Sequence, residues 1–158
     1  MLGAGGAARG IAFALLEGGV DTLVIANRTE ERARELAAEC SRHFPQVRVK
    51  GIPFQEAASQ ATGLVINTTS VGMGDGQSPL NLEKLEIRTG VADIVYHPLA
   101  TPLLLQAREL GLPTANGLGM LLHQGWLGFR FWTGQEPPLE VMLKALAEGL
   151  AQRDNAQT

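Results

Sequence analysis

The chain has 158 residues, 45% hydrophobic and 18% charged, with 13 Lys and Arg against 16 Asp and Glu and a net charge of −3. That length suits one domain with a core of its own. The balance excludes a disordered chain, a coiled coil and a basic nucleic-acid binder held by phosphate neutralisation. The 19 glycines, about 12% against a usual ~7%, fall in clusters, which points to tight turns with a purpose. A single cysteine, Cys40, cannot form an internal disulfide, so a reducing cytoplasm is the expected compartment. No apolar run reaches the ~18 residues needed to span a bilayer, so no membrane is expected. Met1-Leu2-Gly3-Ala4-Gly5-Gly6 has no basic segment ahead of an apolar one, unlike a signal peptide.

In chain order, the pattern predicts a helix from Ala7 to Leu16, ended by Gly18-Gly19. A short buried strand follows from Thr22 to Ala26. Thr29 is the expected N-cap of a helix to about His43, with Glu30 and Glu31 in its first turn. Strands are predicted over 47–52 and 64–67, with a short helix over 54–60 between them and a polar, glycine-rich loop over 68–78 after them. A strand over 91–96, a helix opened by Thr101-Pro102 and running to about Leu110, and a short strand over 113–115 complete the alternation. Long apolar helices are predicted over 117–132 and 139–150, before a polar tail that frays. Continuous apolar strands alternating with helices imply a parallel, doubly wound sheet in a three-layer α/β/α arrangement. Ligands of such sheets sit outside the carboxyl ends of the strands. That singles out the loops 3–8, 27–29, 67–74, 96–102 and 116–120.

The first loop lacks its strand, because only Met1 and Leu2 precede Gly3. In the strand order 3-2-1-4-5-6 that strand is central. Burying its four or five aliphatic side chains would be worth roughly 1.5–3 kcal/mol each, a sum that rivals a whole domain's ~5–15 kcal/mol. The expectation is therefore a fragment of a longer protein, or a misplaced start, with the first central strand truncated and the sheet split or completed from outside.

Gly3, Gly5 and Ala8 form G-x-G-x-x-A. The first glycine permits the turn, the second lets a diphosphate approach the backbone, and the small third residue lets the helix pack on the sheet. The helix N-terminus then offers free N–H groups and partial positive charge. A plain strand-to-helix turn also uses glycines, and methyltransferases use a related one. A carboxylate for the adenosine ribose is expected at the end of the next strand in NAD binders. Here Asn27-Arg28-Thr29 stands there, and a guanidinium can fork onto a 2′-phosphate. That favours NADP over NAD. It also disfavours a methyltransferase, although Thr29 as a cap and Arg28 in solvent is the plain alternative. Thr68, Thr69 and Ser70 suit a ribose or nicotinamide but also an ordinary polar loop. Tyr96 is a ligand contact or a core aromatic, and His97 reads as structural rather than as a base. The three histidines and one cysteine make no metal site. Gln124 lies one turn beyond Met120 and could hydrogen-bond a polyhydroxy substrate; the plain alternative makes this stretch core.

Together GAGGAARG at 3–10, NRT at 27–29, NTTSVGM at 67–73, DIVYHP at 93–98, TPLL at 101–104, NGLGMLLHQG at 116–125 and WTG at 132–134 resemble the NADP-binding domain of the shikimate dehydrogenase family. The resemblance implies a Rossmann-like fold over 1–134, incomplete at its N-terminus, and a helix over 135–151 that packs toward an absent substrate domain. Residues 152–158 are then a disordered tail. It implies reversible NADPH-dependent reduction of 3-dehydroshikimate to shikimate, in the aromatic amino-acid (chorismate) pathway. By position it assigns the diphosphate to Gly3, Ala4, Gly5, Gly6 and Ala7, and the 2′-phosphate to Asn27, Arg28 and Thr29 with Arg32 nearby. Thr68, Thr69 and Ser70 flank the cofactor. Ile94, Gly117 and Met120 match positions bordering the nicotinamide, and Tyr96 and Gln124 match positions that touch substrate. The family's catalytic Lys–Asp pair lies in a preceding domain, so no catalytic residue carries over to Lys50, Lys84 or Lys144. His97 departs from the family's usual Asn. The expected isolated chain binds NADP(H) weakly and does not turn over shikimate. The alternatives are a non-catalytic NADP-binding remnant, a quinate dehydrogenase or a glutamyl-tRNA reductase-like protein. Apolar residues on several faces of the last two helices are expected to be bare or covered by a second copy in a homodimer.

Overall fold

The computed structural model describes residues 1–60, 63–83, 85 and 90–156. It divides into two compact units, Met1–Asn116 and Gly117–Thr158. In the first, α1 (Gly6–Glu17), β1 (Thr22–Asn27), α2 (Glu30–His43) and β2 (Arg48–Pro53) are followed by a 3-10 turn (Phe54–Glu56) and α3 (Ala57–Gln60). Then come β3 (Leu64–Asn67), β4 (Gly90–Asp93), α4 (Pro102–Glu109) and β5 (Thr114–Ala115). The second unit is α5 (Leu118–Thr133) and α6 (Leu139–Ala156).

All strand pairs are parallel: β1 with β2, β3 with β4, and β4 with β5. The two groups are joined by Met1, Leu2 and Gly3. Leu2 bridges Ala26 on one side and Asn67 on the other, both in parallel sense. Leu2 N–H donates to Ile66 O (2.8 Å), Thr68 N–H to Leu2 O (2.8 Å), Gly3 N–H to Ala26 O (2.8 Å) and Ala26 N–H to Met1 O (2.9 Å). The order is therefore β2, β1, the Met1–Gly3 segment, β3, β4, β5. This is the doubly wound 3-2-1-4-5-6 arrangement, with residues 1–3 in the place of its first strand.

Strand alternation sends successive side chains to opposite faces. Leu23 and Ile25 of β1 pack with Ala8, Ala12 and Leu16 of α1 and Ala33, Leu36, Ala37 and Cys40 of α2. Ala26 joins Leu2, Ile52, Ala57, Val65, Val91, Leu103, Leu104 and Ala107 on the other face, with α3 and α4. Gly51 sets how closely α2 lies on β2. A Cβ there would stand 2.4 Å from the Ala33 carbonyl carbon and oxygen and 2.5 Å from Arg34 N.

Two elements differ from their predicted spans. The strand predicted over 91–96 stops at Asp93, because the Asp93 carboxylate accepts from Val95 N–H (3.0 Å) and folds the chain out of the ladder. The last helix, predicted to end at Leu150, runs on to Ala156 through residues 152–156 that the sequence pattern assigned to a frayed tail. Ala151 and Gln152 are good helix formers and no Gly or Pro stops the helix. Residues 157–158 lie outside the described ones. No helix among the described residues is long and apolar enough to cross a membrane.

Candidate functional site: a glycine turn beside an arginine cluster

Because Leu2 pairs with Ala26 and Asn67, the turn after Gly3, the Asn27-Arg28-Thr29 corner and the Thr68–Ser70 loop all leave the sheet at its carboxyl edge, from neighbouring positions. Ile94–Tyr96 leaves the same edge after β4, since Asn67 is in register with Asp93.

The glycines of the first turn do different jobs. Gly3 has φ +104, and a Cβ on it would lie 2.6 Å from Thr68 Oγ1, so backbone conformation and packing both demand glycine there. A Cβ on Gly5 or Gly6 would meet no protein atom within 4 Å. Gly5 is the N-cap of α1 with no side-chain cap and no acidic residue in the first turn, so the leading N–H groups face outward. Ala8, the third motif position, is fully buried against β1 and α2. Ala4, Gly5, Gly6, Arg9, Arg32, Glu35, Leu36 and Glu39 line an open cleft of about 310 Å3.

At the next corner, Asn27 Nδ2 donates to Thr29 O (2.8 Å), which tightens the turn. Thr29 is the N-cap of α2 by position, yet its hydroxyl makes no cap hydrogen bond. Arg28 is exposed and makes no ion pair or hydrogen bond among the described residues. Arg9, which the motif reading did not single out, joins the cleft because it lies one helical turn after Gly5. It pairs with Glu39 across from α2. Two carboxylates, Glu35 and Glu39, thus share the cleft with two guanidiniums, Arg9 and Arg32. A helix position one turn past an uncapped glycine N-terminus is a local signal that would have found Arg9.

The Asn67 loop is held from below. The buried Asn67 side chain donates to Asp93 Oδ1 (3.1 Å) and Val71 O (3.0 Å), and accepts from Thr69 N–H (3.0 Å) and Thr69 Oγ1 (2.7 Å). Asp93 Oδ2 accepts from Thr101 Oγ1 (2.8 Å), the hydroxyl that also caps α4. Thr68 Oγ1 donates to Leu2 O (2.6 Å). Both threonine hydroxyls therefore have protein partners, while Ser70 is exposed. Ile94, Tyr96 and His97 are partly buried. On the second unit, Gly117 is the buried N-cap of α5, and Met120 and Gln124 stand exposed one turn apart. No group of three or more His, Cys, Asp or Glu among the described residues could hold a metal.

A doubly wound parallel sheet with a glycine turn at its central carboxyl edge defines a Rossmann-type α/β domain. Residues 1–71 match the shikimate / quinate 5-dehydrogenase family, and residues 117–147 match the shikimate 5'-dehydrogenase C-terminal domain. The chain is 46% identical over 149 residues to a shikimate dehydrogenase (NADP(+)) of Rhodopseudomonas palustris strain HaA2, covering 94% of this chain and 52% of that one. A quinate dehydrogenase from Corynebacterium glutamicum, solved in complex with NAD, superposes with a TM-score of 0.84 at 32% identity, covering 93% of this chain and 53% of that one. A shikimate 5-dehydrogenase from Thermus thermophilus, solved with NADP(H) and shikimate, superposes with a TM-score of 0.77 at 40% identity over the same shares of the two chains. The chain belongs to the shikimate dehydrogenase family and spans about half the length of the relatives it matches.

Proposed function

We propose that this chain is the NADP(H)-binding half of a shikimate dehydrogenase, which reversibly reduces 3-dehydroshikimate to shikimate. The observation that carries the reading is the open space at Gly5 and Gly6. Glycine at these two positions answers no packing demand of the protein, whereas a diphosphate laid on an uncapped helix N-terminus needs the missing Cβ atoms. Residues 3–7 then hold the diphosphate. Arg28 forks onto the 2′-phosphate, with Asn27 and Thr29 shaping the corner and the free Thr29 hydroxyl beside it. Arg32 adds positive charge from the cleft wall. Thr68, Thr69 and Ser70 border the cofactor by the backbone of a loop that Asn67 and Asp93 keep rigid. By resemblance to the family's motifs, Ile94, Gly117 and Met120 are proposed to border the nicotinamide, and Tyr96 and Gln124 to touch substrate. When bound, NADPH supplies the hydride; the protein orients it and excludes water. The Lys–Asp proton-transfer pair of the family matches no position here, so the chain by itself binds cofactor without turnover. The buried, unpaired Cys40 thiol suits a reducing, cytoplasmic setting.

The test is a titration of the purified chain and its Gly5→Ala variant with NADPH. Gly5 has an ordinary φ of −89, so alanine should fold normally yet lose NADPH affinity about tenfold or more. Equal affinities would remove the diphosphate from this turn. The likeness to an NAD-bound quinate dehydrogenase favours a second reading, an NAD-dependent quinate enzyme. Tighter binding of NADH than of NADPH would support it.

A further inference from the structure

The cleft between α1 and α2 carries two guanidiniums and two carboxylates, and helix geometry sets their order. Arg32, Glu35, Leu36 and Glu39 lie at i, i+3, i+4 and i+7, which is one face of α2. Arg9 reaches the cleft from α1, and its N–H donates to Gly5 O (3.0 Å) in the first turn after the glycines. Ala8 and Ala12 pack with Ala33, Leu36 and Ala37, which brings the two helices close enough for Arg9 and Glu39 to meet. Arg32 is the cleft residue of α2 nearest the Asn27-Arg28-Thr29 corner, and its N–H donates to Thr29 O (3.2 Å). Its guanidinium has no ion pair or hydrogen bond among the described residues. Arg34 pairs instead with Glu30, one turn back, and does not line the cleft.

The Arg9–Glu39 pair does little for stability. The Arg9 side chain is 59% exposed, and an ion pair so open to water is screened and costs the freedom of two long side chains. Glu39 is only 20% exposed, so the carboxylate is the fixed member and the guanidinium is the one it holds. Glu39 takes Nη1 alone. The remaining donors of the planar fork have no protein partner among the described residues.

We propose that Arg9, oriented by Glu39, is a second determinant of cofactor choice, whose unused donors meet the adenosine 2′-phosphate from the α1 side of the cleft, across from Arg28 and Arg32. The inference rests on the NADP(H) reading of the site. A phosphate monoester carries about two charges at pH 7, more than one exposed arginine answers, and a fork from each wall completes the match. Arg9 takes this phosphate rather than the diphosphate because its cleft is walled by α2 and shares Arg32 with the corner. The diphosphate has the backbone N–H groups of residues 3–7. Glu35 has no ion pair among the described residues and sets a like charge against the 2′-phosphate, which limits its affinity.

The experiment titrates the whole chain with NADPH and with NADH by nucleotide fluorescence, unaltered and as Arg9→Gln, Glu35→Gln, Glu39→Gln, Glu39→Ala and Arg28→Ala, with thermal unfolding as the control. Arg9→Gln should lower NADPH affinity about fivefold and change NADH by less than about twofold. Glu35→Gln should raise NADPH affinity about twofold. Glu39→Gln and Glu39→Ala remove the same charge and differ in the oxygen left to hold Arg9. The ratio of NADPH to NADH affinity should therefore be about threefold higher in Glu39→Gln. An unchanged ratio in Arg9→Gln beside a lowered one in Arg28→Ala would overturn the role of Arg9 and leave the cofactor reading standing. Equal losses of NADPH and NADH in Arg9→Gln would put the guanidinium on the diphosphate and overturn its part in the choice. Equal ratios in the two Glu39 variants would overturn the orienting role of Glu39, and no gain in Glu35→Gln would overturn the like-charge role of Glu35. An unaltered chain that binds NADPH no tighter than NADH would overturn the cofactor reading and this inference together.

Discussion

Arg28 offers the sharpest test of cofactor choice, through Arg28→Ala. The side chain is exposed and has no ion pair or hydrogen bond among the described residues, so its removal takes nothing from the fold. Its loss acts on the ligand alone. A hydrogen bond to a charged group contributes ~1.5–3 kcal/mol, and solvent around Arg28 pulls the value toward the lower end. At about 1.4 kcal/mol per factor of ten, NADPH affinity should fall roughly ten- to thirtyfold. NADH, which lacks the 2′-phosphate, should change by less than about twofold. Arg28→Lys keeps the charge and loses the fork, so it should fall between the two. Salt offers a second check, because the screening length falls from ~10 Å at 0.1 M to ~3 Å at 1 M. The NADPH advantage of the unaltered chain should therefore shrink at high salt. Nucleotide fluorescence titrations of both cofactors against both variants measure all of this, with thermal unfolding as the control. Equal losses for NADPH and NADH, or a lowered melting temperature that accounts for the loss, would refute the assignment of Arg28 to the 2′-phosphate.

Gly51→Ala should destabilise the chain by about 2–3 kcal/mol, because the new Cβ meets the α2 backbone at 2.4 Å and no side chain can yield there. Gly10→Ala, inside α1 with nothing near its Cβ, should instead stabilise by about 0.5–1 kcal/mol, and urea unfolding distinguishes the two. Asp93→Ala removes the acceptor shared by Asn67, Val95 and Thr101 and should cost about 3 kcal/mol or more in thermal unfolding, since buried donors lose their partner.

Much of this protein is readable along the chain, because its signals span only a few residues. The alternation of short apolar runs with helical stretches defines the parallel α/β class. The spacing of Gly3, Gly5 and Ala8 marks the turn, and Arg28 stands where an NAD binder would carry a carboxylate. Thr101-Pro102 opens α4 as their types predict. Other features arise from pairings between residues far apart in sequence. Leu2 is joined to Ala26 and Asn67, which places residues 1–3 at the centre of the sheet. Asn67, Asp93 and Thr101 meet in one buried network that commits the neighbouring threonine hydroxyls to structure, although the sequence pattern offers them to a ligand. Gly51 is an unremarked glycine until α2 lies against it. Arg9 stands one helical turn past Gly5 by local geometry, but Glu39 reaches it only when α1 and α2 pack side by side. Local periodicity follows from the geometry of a single helix or strand. Which side chains share a cavity follows from how those elements cross, and only the folded chain decides that.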